Sequence, residues 1–389
     1  MRILHSIRSV NPAGGGPIEG IRQIGKVHLA AGRTTEIVSL DSPDDPWVKE
    51  CPLPVHALGP VKTNYGYCSR LKPWIEANHS KYDAVIVNGL WQYSGFGVWR
   101  ALRGTATPYF VYPHGMLDPW FKRAYPLKHF KKWLYWPWAE YRVLRDAAAV
   151  LFTSEEEMRA SRESFWLYRC NEIVVSYGVA NPPDDPVVSQ QAVLVRFPEL
   201  IGKRVLLFFG RIHEKKGCDL LLRAFAKVAS SDDDIRLVFA GPDQTGWVGE
   251  LKALAETLKI SAKVVWTGML SGDLKWGILR VAEAFVLPSH QENFGIAVAE
   301  ALSCGTPVLI SNKVNIWREI LDDDAGLVEP DDQPGADRLL ERWIALPAER
   351  RDAMRGKTRQ CFQSRFEVAK AAGSIVEVVN KYRTRPEHE

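Results

Sequence analysis

The chain has 389 residues, a formal net charge of +4, and 46% hydrophobic and 25% charged residues. These values exclude a disordered chain, a collagen-like fibre and a coiled coil, and the length corresponds to about two domains. No apolar run approaches the roughly 18 residues that a membrane-spanning helix needs, and Met1–Asn11 has no signal-peptide pattern. The six cysteines form no CxxC pair, so the sequence predicts reduced thiols in a cytoplasmic protein, without structural zinc.

Short apolar runs, many of them β-branched, alternate with helical patterns through the N-terminal half. Continuous runs of this kind are typical of strands buried on both faces of a parallel sheet. The predicted strands are Arg2–Ile7, Thr35–Leu40, Ala84–Asn88, Tyr109–Tyr112, Ala148–Thr153 and Glu172–Ser176. Helical patterns lie between several of them, for example at Ile18–Ala31 and Leu127–Leu144.

A turn-rich stretch at Asn181–Asp185 follows, and its adjacent prolines predict a linker over residues 182–203. The alternation then restarts, which indicates βαβ units with helices on both faces of a parallel sheet. The second series of strands is Val205–Phe209, Ile235–Ala240, Val264–Thr267, Ala284–Leu287 and Pro307–Ser311. We therefore predict the α/β class, with two doubly wound Rossmann-like domains over residues 1–181 and 204–365.

A loop follows the first strand of each half, at the edge where open α/β sheets bind ligands. Gly14-Gly15-Gly16 lets a backbone approach an anion closely, but it is not GxGxxG, which disfavours a nicotinamide cofactor. The stretch 210–217 (Gly-Arg-Ile-His-Glu-Lys-Lys-Gly) carries Arg211 and Lys216, a guanidinium and an ammonium that suit a diphosphate. The alternatives are an ordinary glycine turn and a solvated charged loop.

The stretch Pro288–Glu300 runs from a strand into a helix and contains two glutamates. Glu292 lies in the loop, and Glu300 lies in the helix that begins near Phe294. The N–H groups at a helix start favour an anion, and carboxylates accept hydrogen bonds from hydroxyl groups. A cap at Glu292 and a solvated helix face at Glu300 are the alternatives. Together, at the ligand edge, the two carboxylates favour a phosphate ligand that also bears hydroxyls.

These motifs resemble the retaining nucleotide-sugar glycosyltransferases of family 4 (group 1), which have the GT-B fold. The resemblance rests on Gly210…Lys216-Gly217 and on Glu292-x7-Glu300 with Phe294-Gly295 inside it. It is specific over residues 204–312 and looser before them. It implies two Rossmann-like domains facing each other across a cleft, with the donor held mainly by the second domain and the acceptor by the first. It also implies that a last helix, within residues 366–389, crosses back to the first domain.

The resemblance further implies roles for individual residues. Arg211 and Lys216 would bind the donor diphosphate, Glu300 the ribose, and Glu292 the donor sugar and the leaving phosphate. The implied catalytic residues are His114, Arg211, Lys216 and Glu292. The implied donor-binding residues are Gly15, Gly16, Gly210, Gly268, Met269, Leu270, Asn293, Phe294, Gly295, Ile296 and Glu300, with residues 268–270 against the base. No cofactor is expected.

In the first half, His114 follows the strand Tyr109–Tyr112, and the family places an active-site histidine at the matching position. A lone histidine is more often a packed, hydrogen-bonded residue. One motif departs from the family, which often has Asn-Gly-Val-Asp after the last N-terminal strand. This chain has Tyr177-Gly178-Val179-Ala180, so no role is predicted there.

Two acidic triples, Asp232–Asp234 and Asp322–Asp324, could be taken for a metal-binding DxD motif. Each directly precedes a predicted strand and therefore lies at the amino edge of the sheet, away from ligands. We interpret both as solvated turns and expect no metal requirement.

The segment 120–141 is rich in aromatic and basic residues. Nine of its 22 residues are aromatic, it carries Lys122, Lys128, Lys131 and Lys132, and Glu140 is its only acid. Three interpretations stay open: a packed helix with snorkelling lysines, a surface that contacts an anionic membrane, and a nucleic-acid patch. Nucleic acid is disfavoured because no binding module accompanies the patch.

The sequence therefore predicts a metal-independent, retaining hexosyltransferase that uses a UDP- or GDP-sugar, with UDP-glucose favoured. Its acceptor would be a carbohydrate or lipid-linked saccharide, in the synthesis of a surface or extracellular polysaccharide. A cytoplasmic location is expected, with peripheral membrane contact through residues 120–141. The alternatives are a nucleotide-sugar epimerase of similar fold and a non-catalytic nucleotide-sugar-binding protein.

Overall fold

The computed structural model describes residues 1–383, apart from the side chain of Arg123. The chain divides into two compact units. The first comprises Met1–Ala180 together with the chain from Val368 onward, and the second comprises Asn181–Glu367.

The first unit is built on a seven-stranded parallel sheet in the order β3-β2-β1-β4-β5-β6-β7. Its strands are β1 Arg2–Ile7, β2 Thr34–Ser39, β3 Val55–Ala57, β4 Ala84–Asn88, β5 Tyr109–Tyr112, β6 Ala149–Phe152 and β7 Glu172–Val174. Its helices before the second unit are α1 Gly16–Ala30, α2 Pro46–Lys49, α3 Leu71–Asn78, α4 Tyr93–Leu102, α5 Trp120–Ala124, α6 Pro126–Tyr135, α7 Glu140–Arg145 and α8 Glu155–Ser161.

The second unit has a six-stranded parallel sheet in the order β10-β9-β8-β11-β12-β13. Its strands are β8 Arg204–Phe209, β9 Ile235–Ala240, β10 Val264–Gly268, β11 Ala284–Leu287, β12 Val308–Ser311 and β13 Gly326–Glu329. Its helices are α9 Pro186–Arg196, α10 Cys218–Val228, α11 Val248–Thr257, α12 Gly272–Val281, α13 Ile296–Ser303, α14 Trp317–Asp322, α15 Gln333–Ala345 and α16 Ala348–Cys361. The last helix of the chain, α17 Val368–Tyr382, belongs to the first unit.

Both sheets reverse strand order beside their first strand, as Rossmann-like sheets do, and this confirms the predicted fold class. The first sheet is buried on both faces. In β4, Val85 and Val87 join one hydrophobic cluster, while Ala84 and Ile86 join another. This alternation explains why the strands read as continuous apolar runs.

In the first unit, the strand β3 and the helix expected over Leu127–Leu144 differ from the sequence-based prediction. The short strand β3 was not predicted because it has only three residues, all half-buried. The single helix expected over Leu127–Leu144 is two helices, α6 and α7, separated by a 3-10 turn at Trp136–Trp138. Pro137 lies in that turn, and a proline removes one helical hydrogen bond and clashes with the preceding turn.

Residues 182–203, suggested by the sequence as a linker, fold as part of the second unit. Pro182 and Pro183 precede α9, and Pro186 is its first residue, where the fixed φ of a proline suits a helix. The helix packs so closely on α12 that a Cβ added at Gly277 would lie 2.0 Å from the Ser189 carbonyl oxygen. Arg280 joins the two helices by donating to the Ser189 hydroxyl at 2.6 Å.

The helix α17 completes the core of the first unit. Its buried residues Ile375 and Val379 belong to the same hydrophobic cluster as Ile3 and Phe110 of the sheet. The predicted segment 366–389 overlaps this helix, and its last six residues, 384–389, lie outside the described part of the chain.

Candidate functional site

Two loops are held together at the carboxyl edge of the second sheet. One follows β8 and contains residues 210–217, and the other follows β11. Gly217 has φ +67°, and a side chain there would lie 2.3 Å from the Pro288 carbonyl, so only glycine fits. The carbonyl of Lys215 accepts hydrogen bonds from the His290 N–H at 2.8 Å and the Ser289 hydroxyl at 3.0 Å. These contacts place the basic loop and the glutamate loop side by side.

Lys216 and Glu292 form an ion pair between these two loops. Burial, together with Lys215 and Arg211 nearby, lowers the pKa of Lys216 to about 7. A backbone hydrogen bond also holds the loop of Glu292, since the Glu292 N–H donates to the Lys313 carbonyl at 2.9 Å. Two residues that the sequence assigned separately to the donor are therefore brought together, and the charge of Lys216 depends on the anions beside it.

Glu300 is buried in α13, 5% exposed, and pairs with Lys275 of α12 at 2.7 Å. The sequence reasoning missed Lys275, because it lies within a helix and follows no strand end. The available signal was that Lys275 lies in the first turn of α12, because a helix that follows a parallel strand starts at the carboxyl edge of the sheet.

The helix α13 begins at Ile296, and Gly295, which has φ +76°, is the N-cap residue before it. The first N–H groups of a helix have no partner within it, and this helix start follows directly after the loop of residues 292–294. The side chain of Phe294 is buried and packs edge-on against Phe366, with ring centroids 5.7 Å apart. Phe294 and Asn293 thus continue the loop into the helix start, with the Phe294 ring anchored in the core.

The remaining predicted donor residues lie along the same edge. The exposed Arg211 follows Gly210, and its guanidinium donates to the Gln244 amide oxygen at 3.3 Å. Gly268 and the exposed Met269 line a cavity of about 340 Å³ after β9 and β10. Leu270 is buried and is absent from that lining.

In the first unit, Gly15 is the N-cap residue of α1, with φ +76°, and Gly16 is the first residue of that helix. The Tyr177 hydroxyl donates to the Gly16 carbonyl at 2.9 Å. Tyr177 is the residue at which the chain departs from the family pattern, and no role was predicted for it. In the structure its ring also lies edge-on to His114, with centroids 6.2 Å apart.

His114 lies two residues after β5 in a strained backbone conformation, with φ +51°. Its Nε2 lies 3.2 Å from Oδ1 of Asn88, and Nδ2 of Asn88 lies 3.1 Å from Nδ1 of His5. Burial lowers the pKa of His114 to about 4 and that of His5 to about 3, so both rings are neutral near pH 7. With Asn88 accepting from one ring and donating to the other, His114 carries its proton on Nε2.

The sequence reasoning missed Asn88 and His5, although both lie on predicted strands. Asn88 is the last residue of β4, and a polar residue at a strand's carboxyl end was the available signal. Glu157 holds the backbone next to His114, because its carboxylate accepts a hydrogen bond from the Gly115 N–H at 2.6 Å.

The helix α6 of the aromatic-basic segment has its polar side inward. Lys132 lies over the Trp91 ring at 4.6 Å, and the Tyr135 hydroxyl bonds that of Tyr65 at 2.7 Å. The outward side carries Leu127, 82% exposed, and Phe130, 58% exposed. This arrangement departs from a packed helix, whose apolar side faces the core.

The acidic triples are bound to basic side chains. Asp232 pairs with Arg204 at 2.7 Å and Asp323 with Arg365 at 2.7 Å, each before a strand. Among residues 1–383 no cluster of three or more His, Cys, Asp or Glu side chains is arranged to hold a metal. Within the same range, no helix has the length and apolar character needed to cross a membrane.

Two family models match the chain. Residues 195–360 match glycosyl transferases group 1, and residues 15–178 match a glycosyl transferase 4-like domain. Mannosylfructose-phosphate synthase of Agrobacterium fabrum is 25% identical over 272 residues, which are 65% of this chain and 59% of that protein. The curated relatives are matched over 28% to 59% of their own lengths.

Solved structures match over nearly the whole chain. Sucrose-phosphate synthase from Thermosynechococcus elongatus has a TM-score of 0.76 at 20% identity, with 98% of each chain covered. HepE of Anabaena in complex with UDP-glucose has a TM-score of 0.74 at 16% identity, covering 98% of this chain and 100% of that one.

Proposed function

This chain belongs to the group 1 glycosyltransferases and has their GT-B fold, and from that premise we propose that it transfers a hexose from a nucleoside-diphosphate sugar with retention. UDP-glucose is the favoured donor, supported by the likeness in fold to HepE, whose structure contains it. The acceptor is a carbohydrate or a lipid-linked saccharide used in building a surface or extracellular polysaccharide.

The observation that carries the proposal is the Lys216–Glu292 pair beside the start of α13. Lys216 and Arg211 supply the positive charge for a diphosphate, and the helix start supplies N–H groups. Glu292 accepts hydrogen bonds from the hydroxyls of the donor sugar, and Glu300 accepts them from the ribose. The donor diphosphate displaces Glu292 from Lys216 and takes its place as the counter-ion.

The proposed chemistry needs no nucleophile from the enzyme. The acceptor hydroxyl attacks the anomeric carbon on the face from which the diphosphate leaves, and the departing phosphate oxygen takes the acceptor's proton. Lys216, Arg211 and the start of α13 stabilise the negative charge that develops on that phosphate. Because these groups carry the charge, we propose that transfer needs no metal ion, and activity unchanged in EDTA would support this.

In the first unit, His114 and the Gly15-Gly16 turn are proposed to contact the donor. Neutral His114, protonated on Nε2, presents Nδ1 as an acceptor for a hydroxyl of the donor sugar near the reacting carbon. Gly15 and Gly16 allow the backbone to approach the diphosphate closely.

Donor turnover without an acceptor tests this function. We expect slow hydrolysis of UDP-glucose to free glucose, lost in Glu292→Ala and Lys216→Ala. Lys203→Ala is a control, since Lys203 precedes β8 and so lies at the opposite edge of the sheet. An isomerised sugar nucleotide would point to an epimerase, and tight binding without turnover to a binding protein. UDP affinity unchanged in Arg211→Ala and Lys216→Ala would refute the diphosphate assignment.

We also propose peripheral contact with an anionic membrane through residues 120–141. The outward apolar side of α6 supports this, together with exposed Lys128 and Lys131 beside it. Sedimentation with phosphatidylglycerol vesicles is the test. Binding should fall in the Lys128→Glu, Lys131→Glu double variant and persist in the Lys26→Glu, Lys49→Glu double variant, which carries the same change of charge.

A further inference from the structure

A groove of about 710 Å³ opens in the first unit between α6 and the chain after α8. Its walls carry large rings that remain accessible: Trp133 is 41% exposed and Trp166 is 60% exposed. The two rings lie 5.9 Å apart, and the Phe130 ring is nearly parallel to that of Trp133. Exposed aromatic rings gathered around one groove indicate a binding site for an apolar ligand.

The floor of the groove includes the buried Phe165, which packs against other aromatic rings. Phe165 stacks on Trp136 at 4.3 Å and packs against Trp91 at 5.3 Å. Trp91 lies three residues after Asn88, the residue that bonds His114. The groove therefore shares its packed floor with the loop that follows β4, at the ligand edge of the first sheet.

Charge is placed at the rim of the groove. Lys122, Arg162 and the acid Glu163 lie among its lining residues, and the Glu172 carboxylate accepts from the Arg162 guanidinium at 3.0 Å. Lys128 and Lys131 extend the positive charge along α6. Positive side chains beside an apolar groove match an amphiphile with an anionic head.

The lining favours a hydrocarbon chain over a sugar. Six of its ten lining residues are Pro126 or carry a ring, namely His129, Phe130, Trp133, Phe165 and Trp166, and the other four are Lys122, Arg162, Glu163 and Ser164. The outward leucines Leu127 and Leu134 continue the apolar surface beyond the groove. These two leucines lie outside the groove lining, and the proposal assigns the hydrocarbon chain to the groove alone.

We propose that this groove binds the hydrocarbon chain of a lipid-linked acceptor, with its phosphate at Lys122 and Arg162. The inference rests on the proposed function and narrows its acceptor to an anionic amphiphile. This binding is distinct from adsorption to a bilayer, because the groove takes up the hydrocarbon chain of a single lipid molecule.

Calorimetric titration with alkyl phosphates, each below its micelle concentration, tests the proposal. Affinity should rise about fourfold for each added methylene from octyl to dodecyl phosphate, as expected for a buried chain. Trp166→Ala and Phe130→Ala should each weaken decyl phosphate binding about tenfold or more. Because both side chains are largely exposed, these variants should fold normally, and a thermal melt checks this.

The matched control is the Leu127→Ala, Leu134→Ala double variant, which removes exposed apolar side chains outside the groove lining. It should bind decyl phosphate like the unchanged protein. Equal weakening in the control and groove variants would overturn the proposal. So would an affinity independent of chain length, or binding to vesicles without binding to monomeric alkyl phosphate.

The groove proposal and the proposed transferase function can be refuted independently of each other. Donor hydrolysis without alkyl phosphate binding would support the proposed transferase activity and refute the proposal that the groove binds a hydrocarbon chain. Alkyl phosphate binding that shows the predicted dependence on chain length and on Trp166, in a protein that turns over no donor, supports the groove and refutes the transferase.

Discussion

At the scale of single residues, Asn88 determines which nitrogen of His114 carries the proton. The substitution Asn88→Asp would put a carboxylate beside Nε2, and an adjacent negative charge favours the charged imidazole. We expect this variant to raise the pKa of His114 from about 4 by about 1–3. A proton NMR titration of the histidine rings measures this directly.

Asn78→Asp serves as the control for that titration. It adds the same charge at the end of α3, before β4, and therefore at the amino edge of the first sheet. The pKa of His114 should stay near 4 in the control. An unchanged pKa in Asn88→Asp would show that the hydrogen bond to His114 does not form in solution.

Lys216 gives the second prediction at this scale. Its pKa is lowered to about 7, so the free protein loses the ammonium as the pH rises through 7. If the diphosphate binds the charged form, UDP affinity should fall by up to about tenfold per pH unit above 7. Calorimetry between pH 6 and pH 9 is the measurement.

Lys216→Arg should flatten this pH profile, because a guanidinium stays charged throughout the range. Uridine, which has no diphosphate, should bind with the same affinity at each pH. A similar slope for Lys216→Arg, or for uridine, would assign the titration to another group.

At the scale of elements, the two loops at the second sheet depend on a glycine at their contact. Gly217→Ala would force a residue with a side chain to φ +67° and push its Cβ against the Pro288 carbonyl. The strained backbone alone should lower the free energy of unfolding of the second unit by about 1–3 kcal/mol, and UDP affinity should fall as well. Urea unfolding and calorimetry measure the two effects.

Gly356→Ala is the matched control for Gly217→Ala. Gly356 lies inside α16 with open space around its Cα, so alanine there should raise stability by about 0.4–1 kcal/mol. Equal stability of the Gly217→Ala variant and the unchanged protein would show that the loops can separate without cost.

The same two elements show what sequence could and could not predict. Residues 210–217 and 288–300 were located from the sequence because each follows a continuous apolar strand, and such strands are local patterns. Lys275 and Asn88 were not located, because their partners Glu300 and His114 are distant in sequence and meet only through packing. The inverted orientation of α6 was likewise hidden, since periodicity gives a helix two sides without saying which side faces the core.

At the scale of the whole molecule, the first unit is built from two separate stretches of the chain, one before and one after the second unit. The chain leaves the first unit at Asn181 and returns to it at Val368. The sequence suggested this return through an amphipathic helix with no strand after it. It did not predict α9, because the adjacent Pro182 and Pro183 before the helix are typical of a linker.

This chain path gives a prediction about stability. Ile375 in α17 is fully buried in the first unit's core, so Ile375→Ala should lower that unit's stability by about 2–5 kcal/mol. Leu339→Ala, at a fully buried position of α15, should do the same for the second unit. Calorimetric melts with and without UDP distinguish them, because a ligand raises the melting temperature of the unit that binds it. The transition lowered by Ile375→Ala should be the less UDP-sensitive one, and a UDP-sensitive transition lowered equally by both variants would mean that the two units unfold as one.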